Sequence, residues 1–287
     1  MQIDEYMGFK VLEYEHGMLD DALVLFQSGK FDGIRICPNY RGSEKLLDEV
    51  RQFTSLKALM IQRLPNSPIQ PLVEFPNLEH LSIDETKVEV DFEKLPSLVY
   101  FAGVWQKGRF KNAQYSRLKK LRLRNFKSAT DDLTDFRQFG DLEDIHLVQS
   151  TVTSLNGLSA FKNLKTFEMH YMSKLEKLGK LDLPSLTFFH ADFCKKLTDH
   201  EQLQGCPNLE TLRLHNCGSI QSVMFIKKLK KLKSFRFMEA TEVLDGDLSP
   251  LLDMEDVLFT QKKHYSHKTK NFNQMMDGVN VHRAESA

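Results

Sequence analysis

The sequence predicts an α/β solenoid. A right-handed, horseshoe-shaped coil of short repeats would line up its strands as one parallel β-sheet on the concave face. Three observations predict it. A short apolar motif recurs along nearly the whole chain at an almost constant spacing. A turn sequence rich in Pro, Asn and Ser precedes several copies. Apolar residues at 41% and charged residues at 27% supply both a continuous core and a wet surface, which excludes a largely disordered chain.

The motif is Leu-x-x-Leu-x-Leu with apolar substitutes. In order, its copies are Phe9/Leu12/Tyr14, Phe31/Ile34/Ile36, Leu56/Leu59/Ile61, Leu78/Leu81/Ile83, Leu98/Phe101/Gly103 and Leu118/Leu121/Leu123. Leu142/Ile145/Leu147, Leu164/Phe167/Met169, Leu186/Phe189/Ala191, Leu209/Leu212/Leu214, Leu232/Phe235/Phe237 and Met254/Val257/Phe259 follow. Successive starts lie 20 to 25 residues apart, most often 22 or 23. A chance apolar pattern would not hold that period. One such repeat cannot bury its own apolar face, so stacked repeats share a core.

The entry to each strand has its own signature. Phe75-Pro76-Asn77-Leu78, Leu95-Pro96-Ser97-Leu98, Leu183-Pro184-Ser185-Leu186 and Cys206-Pro207-Asn208-Leu209 are near copies. Phe53-Thr54-Ser55-Leu56 and Phe161-Lys162-Asn163-Leu164 keep the frame without proline. Proline pre-sets φ and lacks a donor, and Asn and Ser suit turns.

These residues resemble the leucine-rich-repeat family over about Phe9 to Gln261, in irregular repeats of the bacterial, cytosolic type. The resemblance implies irregular turns or short helices on the convex face. Its consensus places Asn or Cys eight residues after the first leucine, where the side chain satisfies backbone groups inside the turn. Asn39, Thr86, Ser150, Cys194 and Cys217 fit, whereas Leu64, Phe126, Met172 and Lys262 do not. Uneven coils are therefore expected, with Cys194 and Cys217 structural rather than reactive. Leu175–Gly179 and Ile220–Leu232 read as turns or helical turns, and the Lys227–Lys233 charge run as a solvated convex edge.

The expected organisation is one solenoid of about a dozen repeats over 1–263, with a polar N-terminal cap holding Ile3, Tyr6 and Met7. A C-terminal cap and frayed tail over 264–287 would follow, with an amphipathic turn at 271–276. The His264–Lys268 cluster resembles the short tail of some bacterial cytosolic repeat proteins.

Side chains alternate along a strand, so residues between the inner apolar positions face the concave side. One column reads Glu13, Arg35, Met60, Ser82, Ala102, Arg122, His146, Glu168, His190, Arg213, Arg236 and Leu258. The next reads Glu15, Cys37, Gln62, Asp84, Val104, Arg124, Val148, His170, Asp192, His215, Met238 and Thr260. The first half is mild, and the second is dense in charge and bordered by aromatics, Phe188 and Phe193 among them. Arg, Tyr and Trp dominate interface hot spots, and mixed charge gives partner choice. The expected binding residues are Tyr100, Trp105, Arg122, Arg124, His146, Glu168, His170, Tyr171, His190, Asp192, Arg213, His215 and Arg236.

The function this favours is a non-enzymatic module that binds a protein partner on its concave face, as an inhibitor, immunity-type or regulatory protein. A secreted or host-directed effector is the alternative. A metal-dependent enzyme on the histidine columns comes third: His170, Asp192 and His215 share one column, and His146, Glu168 and His190 the other. An open face has nothing to exclude water, so salt-bridged recognition is preferred there, with no metal, cofactor or catalytic residue expected. No Gly-rich phosphate loop, nucleophile elbow or HExxH motif appears. With 39 Lys+Arg against 39 Asp+Glu, net charge draws the chain to neither nucleic acid nor anionic membrane. The acidic start Met1–Tyr6 lacks the features of a secretory signal, and no stretch approaches a membrane span. A cytoplasmic chain, monomeric when unbound, is expected. Four scattered cysteines without a CxxC pair argue against a zinc cluster or disulfide framework.

Overall fold

The computed structural model describes residues 1–36, 46–62, 70–71, 75–84 and 88–272. Cys37, Asn39, Leu64, Thr86 and the expected tail from Asn273 onward lie outside the described residues.

The motif copies become strands of one thirteen-stranded sheet. Its strands are β1 (Ile3–Tyr6), β2 (Phe9–Tyr14), β3 (Gly33–Ile36), β4 (Ala58–Ile61), β6 (His80–Ile83), β8 (Tyr100–Val104) and β10 (Lys120–Arg124). Then come β11 (Asp144–Val148), β12 (Thr166–His170), β13 (Phe188–Asp192), β14 (Thr211–His215), β15 (Ser234–Met238) and β16 (Asp256–Phe259). From β2 onward every neighbour is parallel. The architecture is the leucine-rich-repeat solenoid that the repeats predict.

Burial follows the alternation of the pleat. In β11 to β15 the second and fourth residues are buried and the other three half-buried. The first apolar residue of each motif is buried one turn earlier, where the chain swings inward. There Leu164, Leu186 and Leu209 donate their N–H to the carbonyls of Phe161, Leu183 and Cys206 at 3.0–3.2 Å. The Pro/Asn/Ser frame is thus a closed turn whose end feeds the strand.

The ladder position behaves as its chemistry requires. Cys194 and Cys217 are buried, and the Cys217 thiol lies 3.4 Å from the Ala191 carbonyl and 3.3 Å from that of His215. Burial pushes the Cys217 thiol well up, and that of Cys206 up to about 12. Neither is a nucleophile at neutral pH. Phe126 and Met172 fill the same position with buried apolar groups.

The convex side changes along the chain. Early coils carry α1 (Leu19–Gln27) and α2 (Leu46–Val50). Asp20 and Asp21 sit in the first turn of α1, where the helix dipole favours them. Gly29 follows its end at φ +70°, and the N–H groups of Gly29 and Lys30 bond the carbonyls of Phe26 and Leu25. Tyr14 donates its hydroxyl to Glu49 of α2 at 2.8 Å, which docks that helix on β2. Next comes a small parallel sheet of β5 (Gln70–Pro71), β7 (Val88–Asp91) and β9 (Phe110–Lys111). Later coils use 3-10 turns, among them Thr134–Phe139, His200–Gly205 and Val223–Lys228. The expected turn at Leu175–Gly179 runs extended instead, with Lys177 bridging Ser154. In the Lys227–Lys233 run, Leu229 and Leu232 are buried and the lysines exposed.

Both ends of the sheet are covered. β1 pairs antiparallel with β2, so the N-terminal edge meets a strand rather than a loose cap. At the other end Tyr265 and Phe272 are buried against Phe259, each with its ring 5.6 Å away.

Candidate binding face

Strand register turns the two sequence columns into two physical rows. Arg122, His146, Glu168, His190, Arg213 and Arg236 are direct partners across β10 to β15. Arg124, Val148, His170, Asp192, His215 and Met238 form the second row. All twelve lie on the concave face and are exposed or half-buried.

At the centre, four imidazoles surround two carboxylates. Glu168 Oε2 lies 3.6 Å from His170 Nε2 and 3.6 Å from His190 Nδ1. The other ring nitrogen of His170, Nδ1, is 3.9 Å from Asp192 Oδ2. The rings of His146 and His170 are 4.8 Å apart, and those of His190 and His215 5.3 Å. The flanking imidazoles hold the Glu168 carboxyl far below the usual carboxylate range. Burial, aided by the charge of Arg122, lowers His146 to about 4, and burial lowers His215 in the same direction. Ligand atoms of His146, Glu168 and His170 all lie within 4.8 Å of one another.

Cations and aromatics flank this centre. Arg213 lies over the Phe188 ring, 5.4 Å from its centroid, and Arg236 pairs with Asp256 at 2.9 Å. Tyr171 is 50% exposed and stacks on Phe193 at 4.8 Å. Arg124 pairs with Asp84.

One expected site residue, Trp105, stands apart from this group, and Tyr100 joins it from the first half, lining one cavity with Arg122 and Arg124. Trp105 lies just past the end of β8, where the alternation stops. Its ring packs 4.8 Å from Phe126 and 5.8 Å from Phe110, half-buried against the core. Tyr100 faces the concave side but stacks on His80 at 4.0 Å, within the first half.

The first half also holds a groove, lined mostly by residues of the two columns. Tyr6, Arg35, Ser82, Asp84, Tyr100 and Arg122 are among the residues lining an open cavity of about 330 Å³. Arg35 sits 5.6 Å from the Tyr6 ring centroid. Tyr6 belongs to the edge strand β1, outside the repeat frame, so periodicity could not place it. Arg35, Met60, Gln62, Ser82 and Asp84 are visible in the columns, but their mild character gives no sign of a groove.

Among the described residues, no helix is long and apolar enough to cross a membrane. No family model matches the sequence, and no curated protein sequence matches it. Among solved structures the chain is similar to an internalin (inlF) from Listeria monocytogenes. That likeness has 12% identity and a TM-score of 0.49, and covers 81% of this chain and 75% of the internalin. The functional domain of InlJ from the same organism gives 14% and 0.37, covering 77% of this chain and 61% of that one. The leucine-rich-repeat domain of APL1B gives 12% and 0.36, covering 88% and 84%.

Proposed function

We propose that this leucine-rich-repeat solenoid is a non-enzymatic module that binds a protein partner on its concave face, as an inhibitor, immunity-type or regulatory protein. The observation that carries the reading is the row from Arg122 to Arg236. It is an unbroken line of long cationic, imidazole and carboxylate side chains held in register on a sheet. Such a row is pre-organised, so little ordering entropy is lost when a partner docks.

Size supports a macromolecular ligand. The six strands β10 to β15, at roughly 4.8 Å spacing and about 16 Å long, present on the order of 450 Å², to which the flanking strands and loops add. A stable protein interface takes about 800 Å² from each partner. The recognition unit is 1–263, with 264–287 as its cap and tail. The expected setting is the cytoplasm, with the chain monomeric until it meets its partner. The buried free thiols Cys194, Cys206 and Cys217 support a reducing compartment.

The test is a triple variant, Arg122→Ala, Arg213→Ala and Arg236→Ala. It should lose partner capture while melting with the parent chain, because exposed ion pairs add little stability. Capture at the parent's level would move the site off this row.

A further inference from the structure

The centre of the concave face has a feature that charge complementarity alone does not need. Glu168 Oε2 is 3.6 Å from His170 Nε2 and from His190 Nδ1. Ligands at roughly 2.0–2.1 Å from a tetrahedral zinc lie about 3.3 Å from one another, so small side-chain rotations would bring these atoms to coordinating range. His146 is the direct strand partner of Glu168, and its ligand atom joins those of Glu168 and His170 within 4.8 Å.

Two further observations point the same way. His170 turns Nε2 to Glu168 and Nδ1 to Asp192, 3.9 Å away. A metal-bound imidazole is usually oriented by a carboxylate hydrogen-bonded to its other nitrogen, and Asp192 stands a small rotation away from that contact. In addition, Nε2 of His146 is shielded from solvent and has no hydrogen-bond partner among the described residues.

We propose that His146, Glu168 and His170, with His190 as a further ligand and Asp192 orienting His170, bind one divalent transition-metal ion on the concave face. A set of imidazoles and one carboxylate suits Zn²⁺, Co²⁺ or Ni²⁺ rather than Mg²⁺ or Ca²⁺, which take oxygen ligands. The sequence gives a reason to set metal aside, the openness of the face. That openness instead leaves a coordination position turned toward the groove, where water or a side chain of a bound protein completes the shell. This inference is independent of the partner: the site stands whether or not a protein docks there.

The experiment uses the full chain, stripped with a chelator and desalted, then titrated at neutral pH with ZnCl₂ alone by calorimetry. CoCl₂ serves as a second probe, read by its visible absorption. The expected result is one saturable equivalent, with Co²⁺ bands that Zn²⁺ erases. The variant His146→Ala/His170→Ala should weaken binding at least about tenfold, and Asp192→Asn by about tenfold. Glu168→Gln preserves shape and removes the charged ligand, so it decides the matter if the double variant misfolds. It too should weaken uptake at least about tenfold. The exposed His16→Ala should leave binding unchanged. No saturable uptake by the parent chain overturns the proposal, as does uptake that Glu168→Gln retains.

Discussion

The coils before and after β10 share one motif but present opposite concave faces. In the first half the row Val11, Gly33, Ala58, His80 and Tyr100 is largely small or apolar. With almost nothing rising from Gly33 and Ala58, the ring of Phe9 reaches across two strands and that of Tyr6 across three, to within 5.9 and 6.0 Å of His80. Val11, Ala58 and Met60 pack as a second apolar cluster there. These rings cover part of the face, beside the open groove lined by Arg35, Ser82 and Asp84. In the second half that row continues as Lys120, Asp144, Thr166, Phe188, Thr211, Ser234 and Asp256, and beside it run the two rows rich in Arg, His, Glu and Asp. Convex structure differs in parallel. Helices, about 10 Å across, back strands spaced at roughly 4.8 Å in the early coils, which bends the sheet, whereas 3-10 turns back the later ones. Inner leucines make the solenoid, and the outward residues decide whether its hollow is covered by apolar rings or lined with charge.

The sharpest way to break this contrast is within one strand. Leu212 is fully buried and its neighbour Arg213 half-exposed. Leu212→Ala should cost about 2–5 kcal/mol, through lost burial and a residual cavity. Arg213→Ala should cost less than about 0.5 kcal/mol. Thermal melts followed by circular dichroism measure both. Each coil touches only its neighbours, so hydrogen exchange in Leu212→Ala should quicken in β13 to β15 and stay slow in β2 to β6. Uniform quickening would mean that the two halves are one cooperative unit.

Gly33→Val tests the closed half. A Cβ at Gly33 would lie 3.0 Å from both Ala58 Cβ and Val11 Cγ2, so valine overfills the gap. The expected cost is about 1–3 kcal/mol in the same melts. A neutral result would show that the cover formed by Phe9 and Tyr6 is not tightly packed over these strands.

What the sequence made legible follows the same division. Strand positions, the two concave rows and the buried ladder cysteines were readable because each depends on a period that stacking enforces. Trp105, Tyr6 and Arg109 were not, because each answers to a local break in that period. Gly103 stands where an inner leucine is expected, and the space beside it is shared by Phe101 and the guanidinium of Arg109. Arg109 is 3% exposed, and burial lowers it to about 10. A charged residue in a loop gives no sequence sign that it fills a gap left by glycine. The αL turns described below were equally hidden, since the residues that make them share no composition.

Acid should weaken the closed half through His80. Burial lowers this imidazole to about 4 from its usual 6.5. Between those values the unfolded chain binds a proton that the folded chain refuses. Stability is therefore full above pH 6.5 and falls as pH drops toward 4. Melting temperature should decline from pH 7 to pH 5, and His80→Phe should flatten that slope. His146 and His200 are lowered by burial to about 4 as well, and His215 in the same direction, so part of the slope should remain in His80→Phe. An identical slope in His80→Phe would remove His80 as a cause.

The smallest expected effect concerns how the open half leaves its strands. Asn125, Gln149, Tyr171, Phe193, Asn216 and Glu239 each follow a strand, and each has φ between 49° and 61°. Glu15, Gln62, Asp84 and Trp105, at the corresponding exits of the first half, are not in that region. The left-handed conformation costs an L-residue roughly 1–2 kcal/mol, less for Asn, whose short polar side chain tolerates it. Tyr171 pays that strain while gaining a stack on Phe193, and an exposed stack contributes at the low end of about 0.5–1.5 kcal/mol. Tyr171→Asn should therefore raise stability by less than about 1 kcal/mol, read as a small rise in melting temperature. It should also weaken partner capture if the Tyr171–Phe193 stack borders the interface. A fall in melting temperature would mean that the stack outweighs the turn. The regularity of the open half would then owe more to its side-chain ladder than to its backbone exits.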